Sequence, residues 1–218
     1  MKNILIIGCG LLGSSLLRRI HKKKIAKKIF IYEKSRSNIS KIKKLKLPGI
    51  IIKDLDQAVK NSDLIILCTP MSEYKNLILK MNKSLSNKNI LTDIGSSKIE
   101  SSKIIRNFLK KDVIWTQGHP IAGSEVSGPE NGRQDIFENK WCVLIKEKNT
   151  KKNHLNLLSK FWNKMGSKIV VMTAEKHDKV FSMTSHLPHL IAYNLVKSAQ
   201  DFERIQNCLL YTSPSPRD

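Results

Sequence analysis

A chain of 218 residues, 40% hydrophobic and 26% charged, is long enough for one domain of about 150 residues and part of another, and its composition excludes wholesale disorder. The formal charge of +21 is spread along the chain with an excess of Ile and Asn and is dense only at residues 22–28 and 41–46. This argues against a dedicated nucleic-acid surface and leaves a diffuse field that attracts anionic ligands. No apolar run reaches the roughly 18 residues of a bilayer span, and the first residues lack a signal-peptide cleavage site. Cys9, Cys68, Cys142 and Cys208 form neither a CxxC pair nor a zinc-spaced cluster. The expectation is a cytoplasmic protein with reduced thiols and no metal, nucleic-acid or membrane partner.

Residues 3–7 are a nearly continuous apolar run stopped by Gly8, the pattern of a strand buried on both faces. Leu11, Leu12, Leu16, Leu17 and Ile20 then follow with helical spacing. Further strands are expected at 28–32, 50–52, 63–67 and 89–92, separated by segments with helical character at 37–45, 54–60, 72–81 and 98–109. Alternation of this kind predicts a parallel sheet covered on both sides. Strands at 113–116 and 141–145 flank a Gly/Pro/Ser-rich loop at 118–132, long enough to suggest a functional role. A helix at 151–165 and a strand at 168–172 close this part. From 174 to about 203 the pattern is helical, interrupted by Pro188. The predicted fold is α/β, a Rossmann-type doubly wound, mostly parallel sheet over 1–172, followed by the start of an all-helical domain over 173–207. Residues 208–218 break the lysine-rich style and carry Ser-Pro-Ser-Pro. They resemble a translated adapter scar and are expected to be a non-native tail.

Gly8-Cys9-Gly10-Leu11-Leu12-Gly13 fits GxGxxG between a strand and a helix, and Glu33 closes the second strand twenty residues after Gly13. Gly8 permits the tight turn, Gly10 the approach of a pyrophosphate, and Gly13 close packing of helix on strand. The free N–H groups at the start of the helix, around Leu11 and Leu12, favour an anion. Glu33 suits the adenosine ribose hydroxyls and repels a 2′-phosphate. NAD is therefore the expected cofactor, with NADP kept open by the neighbouring Lys34 and Arg36. Thr69 and Pro70, after the fourth strand, are expected to border the cofactor or to make a plain structural turn.

Three further stretches stand out: Thr92-Asp93-Ile94-Gly95-Ser96-Ser97-Lys98, Gly118-His119-Pro120-Ile121-Ala122-Gly123-Ser124-Glu125, and Ser185-His186-Leu187-Pro188-His189. With the glycine fingerprint, in this order, the chain resembles the prephenate/arogenate (cyclohexadienyl) dehydrogenase family of tyrosine biosynthesis, from Lys2 to about Glu203. The resemblance implies NAD-dependent oxidative decarboxylation of prephenate or arogenate by a homodimeric enzyme. It implies His119 as the catalytic histidine, and Ser96 as the residue that orients it beside the nicotinamide. Ser124, Ser185, His186 and His189 would line the substrate pocket, and Glu125 its rim. His186 and His189 are also compatible with ordinary helix histidines, and His21, His154 and His177 are expected at the surface. The family's Gly-Phe-x-Asp-Phe-Thr-Arg stretch, whose arginine binds the ring carboxylate, does not follow. Asp201-Phe202-Glu203-Arg204 comes too soon after Ser185 and lacks the preceding glycines. The chain is therefore expected to be C-terminally truncated and able to hold cofactor without necessarily turning over. Two other readings remain: a Rossmann reductase acting on hydroxy acids or imines, and a basic nucleotide- or nucleic-acid-binding module.

Overall fold

The structure, a computed structural model, describes residues 2–148 and 150–206. The expected non-native tail at 208–218 lies outside the described residues, as do the side chains of Glu203 and Arg204. Two compact units are present, one ending at His177 and one beginning at Asp178.

In the first unit, β1 (Asn3–Ile7), β2 (Lys28–Tyr32), β3 (Ile50–Ile51), β4 (Leu64–Leu67), β5 (Ile90–Asp93) and β6 (Ile114–Trp115) make one sheet in the order β3-β2-β1-β4-β5-β6. Every neighbouring pair in it is parallel. Connections run through α1 (Leu11–Lys22), α2 (Arg36–Lys44), α3 (Leu55–Lys60), α4 (Tyr74–Met81) and α5 (Ile99–Phe108). Alternate side chains of a strand point to opposite faces, so Ile4 and Ile6 join Leu16, Leu17, Ile20, Phe161 and Trp162 on one side. Leu5 and Ile7 join Val59, Tyr74, Leu77, Ile78 and Ile105 on the other. This double burial is the physical reason that strands β1 and β4 read as unbroken apolar runs. Local chemistry sets the helix ends: the Ser35 hydroxyl accepts from Asn38 N–H at 3.2 Å and Asp54 accepts from Gln57 N–H at 3.2 Å.

The chain then builds a second, mixed sheet from β7 (Gly118–Pro120), β8 (Trp141–Ile145) and β9 (Lys168–Met172), with α6 (Lys152–Met165) between the last two. β7 runs antiparallel to β8 with His119 opposite Val143, and β8 runs parallel to β9. This corrects the expectation of an unstructured loop from Gly118: its first three residues are an edge strand, where Pro120 owes no N–H to the ladder. The remainder is tied down on α1. Ser14 Oγ and Arg18 donate to the Pro129 carbonyl at 3.3 and 3.0 Å, and Arg133 N–H donates to Ser15 Oγ at 2.9 Å.

After β9 comes α7 (Ala174–Phe181), then a π-helical turn over Ser182–His186 and α8 (Leu187–Gln206). The interruption attributed to Pro188 falls in the turn before it. A proline ring crowds the carbonyl four residues back and removes the N–H that would have met it; widening the preceding turn accommodates both. Among the described residues no helix is long and apolar enough to cross a membrane.

Candidate active site

Gly8 ends β1 with φ +88°, and a Cβ there would lie 2.8 Å from the Thr69 methyl. At Gly13 a Cβ would fall 2.1 Å from the Gly8 carbonyl oxygen, so α1 rests on the end of β1 as closely as a glycine allows. Gly10 has nothing within 4 Å of where its Cβ would be. It precedes Leu11 and Leu12, whose turn carries no acidic residue and whose N-terminus has no side-chain cap. An open, uncapped helix start with room above its central glycine suits a pyrophosphate.

Glu33 faces this turn. Its carboxylate accepts from Cys9 N–H at 2.7 Å and from Ser35 N–H at 2.9 Å, which fixes an anion at the end of β2 where a ribose diol would meet it. Burial, and then the Glu33 charge, push the Cys9 thiol up to about 12. Lys34 donates to Glu73 at 2.6 Å, so its charge is already engaged by a carboxylate, and that bond raises the Lys34 ammonium above its ordinary range. Across the switch point between β1 and β4, where the strand order reverses, Thr69 Oγ1 is buried with no hydrogen-bond partner, and Pro70 is exposed. An orphaned hydroxyl beside the glycine turn is the kind of atom a bound dinucleotide satisfies.

His119 is half-buried on β7 and is held from two directions. Its backbone is set by a buried cluster at the end of β5. Asp93 Oδ1 accepts from Gly118 N–H at 3.2 Å, while Oδ2 accepts from Lys98 Nζ at 2.8 Å, Tyr74 OH at 3.1 Å and Gly95 N–H at 3.1 Å. Lys98 Nζ also donates to the Gly118 carbonyl at 2.6 Å. Both side chains of the Asp93–Lys98 pair are fully buried, so both backbone groups of the residue before His119 are gripped by charges shielded from water. Burial and the Asp93 carboxylate drive the Tyr74 phenol far up, so it stays a donor. The second hold is on the ring: His119 Nδ1 lies 2.7 Å from Nε2 of His177 on α7, with the rings edge to face at 60°.

His177 is fully buried, which corrects the surface position expected for it. The helical repeat of Ala174, His177 and Phe181 was the available signal for its inward face. His154 is half-buried rather than a plain surface residue, and burial lowers its basicity. Sequence reasoning also gave no role to Asp93 or Lys98, although an acid and a base beside an apolar strand end were legible in the motif. Ser96 stands exposed in the turn after β5, and Ser124 and Glu125 are exposed beyond β7. Ser185, His186 and His189 belong to the second unit, where His189 Nδ1 lies 2.8 Å from the Ser185 carbonyl. Thus the structure brings Gly8, Gly10, Gly13, Glu33 and Thr69 together at one edge of the sheet, and it places His119 beside the Asp93 end of the same edge. A shallow hollow of about 480 Å³ lined by Tyr32, Lys53, Asp54 and Lys83 includes none of these residues, and no chemistry is attached to it.

The 3-2-1-4-5-6 strand order, the glycine turn and the open helix start define a nucleotide-binding protein of the Rossmann type, with a histidine at the carboxyl edge of its sheet. Residues 16–171 match the family model for the nucleotide-binding domain of prephenate dehydrogenase, and residues 173–218 match that for its dimerization domain. The chain belongs to the prephenate dehydrogenase family. It is 32% identical to the cyclohexadienyl dehydrogenase of Zymomonas mobilis over its whole length, covering 74% of that protein. It is 33% identical to the prephenate dehydrogenase of Lactococcus lactis over 94% of this chain and 56% of that one. The crystal structure of Aquifex aeolicus prephenate dehydrogenase with hydroxyphenyl propionate and NAD+ superposes with a TM-score of 0.83 at 32% identity, over 91% of this chain and 69% of that one.

Proposed function

We propose that this chain carries the centre of an NAD-dependent dehydrogenase that oxidatively decarboxylates prephenate or arogenate. The observation that carries the reading is the pairing of an open glycine turn after β1 with an anchored histidine beside β5. These two strands lie two spacings apart, roughly 10 Å, a span suited to a dinucleotide lying across the switch point with its nicotinamide near His119. The Zymomonas mobilis relative is by its name a cyclohexadienyl dehydrogenase, and the Aquifex structure contains NAD+.

In this reading Gly10, Leu11 and Leu12 offer backbone N–H groups to the pyrophosphate, and Thr69 and Pro70 border it. Glu33 takes the ribose hydroxyls, and with Lys34 already engaged by Glu73 the site favours NAD over NADP. When bound, NAD+ accepts hydride from the ring carbon that bears the hydroxyl. His119 takes the hydroxyl proton as the carbonyl forms, and can return it to the phenol oxygen after the ring carboxylate has left as CO2. Ser96 orients the hydroxyl and Ser124 contacts the substrate with Glu125 at the rim, while Ser185, His186 and His189 are the substrate-contacting residues that the second unit contributes. Residues 1–172 form the cofactor domain and 173–207 open the helical one. Leu190, Ile191, Leu195 and Val196 on α8 are exposed and suit the pairing of two copies. The cytoplasm is the fitting compartment for an NAD-linked biosynthetic step.

Titration of the folded chain with NAD and NADP, followed by NADH formation with prephenate and with arogenate, tests this. NAD should bind more tightly than NADP. In whichever substrate supports turnover, His119→Asn should lower kcat by about 10² to 10⁴-fold with NAD affinity kept. Failure of the folded chain to bind either dinucleotide would overturn the reading.

A further inference from the structure

We infer that His177 is a positioning residue for His119: it selects the imidazole tautomer in which Nδ1 carries the proton and Nε2 is presented to the substrate hydroxyl. This rests on the reading of His119 as proton acceptor.

Two ring nitrogens 2.7 Å apart share one proton, because two bare nitrogens would repel and two N–H groups would clash. Only two arrangements of neutral rings satisfy the contact. If His177 Nε2–H donates, His119 Nδ1 is bare, its own proton sits on Nε2, and that nitrogen has no lone pair for a substrate proton. If His119 Nδ1–H donates to His177 Nε2, the lone pair lies on Nε2 of His119, and His177 carries its proton on Nδ1. Proton abstraction by His119 therefore requires the second arrangement. It also benefits from it, since the imidazolium formed keeps the same Nδ1–H bond, now charge-assisted.

The geometry supports a device rather than a chance contact. His177 is fully buried and its backbone N–H donates to the Thr173 carbonyl at 3.0 Å within the start of α7, so the acceptor has a fixed base. The His119 backbone is fixed independently through Gly118. Backbone clamp and ring contact together leave the imidazole little freedom. The division of labour is that of a histidine whose second nitrogen is held by a partner that sets which nitrogen reacts.

The test compares His177→Gln with His177→Asn. A glutamine carries its amide oxygen at about the reach of the histidine Nε2 and can accept from His119 Nδ1–H; an asparagine is one bond too short. Both are polar amides of similar burial cost, so a purely structural role would not separate them in this direction. In chain labelled with nitrogen-15 at histidine, NMR should show His119 with Nδ1 protonated and Nε2 bare in the native protein and in His177→Gln, and an increase of the Nε2-protonated form in His177→Asn. Where turnover is measurable, His177→Asn should lower kcat roughly 10- to 100-fold with KM nearly unchanged, and His177→Gln should restore most of it. An unaltered His119 tautomer in a folded His177→Asn protein would overturn the inference, as would equal kcat loss in both variants. The NMR result is independent of catalysis. A tautomer that follows residue 177 in a chain without dehydrogenase activity would keep the positioning and remove the functional reading; activity that depends on His119 but ignores residue 177 would do the reverse.

Discussion

Replacing Lys98 by Met removes one partner of a fully buried ion pair while keeping side-chain volume nearly constant. Asp93 would retain Tyr74 OH, Gly95 N–H and Gly118 N–H as donors, but its charge would be buried without a counter-ion and the Gly118 carbonyl would lose Lys98 Nζ. Breaking a buried pair from one side costs about 3–5 kcal/mol. In a unit of this size 1 kcal/mol moves Tm by about 2–4 °C, so a fall of roughly 6–20 °C is expected. Asp93→Asn should lose a similar amount, since either orientation of the amide turns an NH2 toward a group that donates to the carboxylate. The double variant contains neither charge and should be less destabilised than the sum of the singles by on the order of 2 kcal/mol. Thermal unfolding followed by circular dichroism, with urea titrations for the free energies, closes the cycle. Additive losses, or a Lys98→Met protein melting within about 2 °C of the parent, would refute the view that this pair is an electrostatic clamp on the strand bearing His119.

The two central glycines should separate stability from binding. Gly13→Ala drives a Cβ to 2.1 Å from the Gly8 carbonyl oxygen and should lower both Tm and NAD affinity, whereas Gly10→Ala meets nothing within 4 Å and should weaken NAD binding with Tm unchanged. Calorimetric titration beside a melting curve checks both, and equal behaviour of the two variants would count against the pyrophosphate placement. Burial, then Glu33, raise the Cys9 thiol from 9.0 to about 12. The folded state therefore favours the neutral thiol, and its contribution to stability is full below about pH 9 and is lost as pH rises toward 12. Cys9 should resist alkylation at pH 8 in the native protein and react once urea unfolds it, as mass spectrometry of the labelled peptide would show; rapid native labelling would contradict the burial assigned to it.

The sequence by itself determined the parallel sheet and the cofactor edge. Strands buried on both faces must be apolar throughout, helices must repeat every three to four residues, and a turn that lays a helix on a strand end needs glycine, so Asn3–Ile7, Leu11–Lys22 and Gly8 to Gly13 were legible without neighbours. The position of Glu33 was legible because it directly follows β2, where its carboxylate meets the glycine turn through Cys9 N–H. The site around His119 was legible only as a motif. That His119 stands on an edge strand, that Asp93 grips the backbone of a residue 25 positions away, and that His177 meets His119 across 58 residues were decided by the tertiary structure. A strand as short as β7 has no period to read, and its proline and glycine imitate a loop. A buried lysine or imidazole is written with the same letter as a solvated one. What distinguishes them is the partner that the fold brings within hydrogen-bonding distance, and that partner is set by sheet register and helix packing rather than by any local pattern.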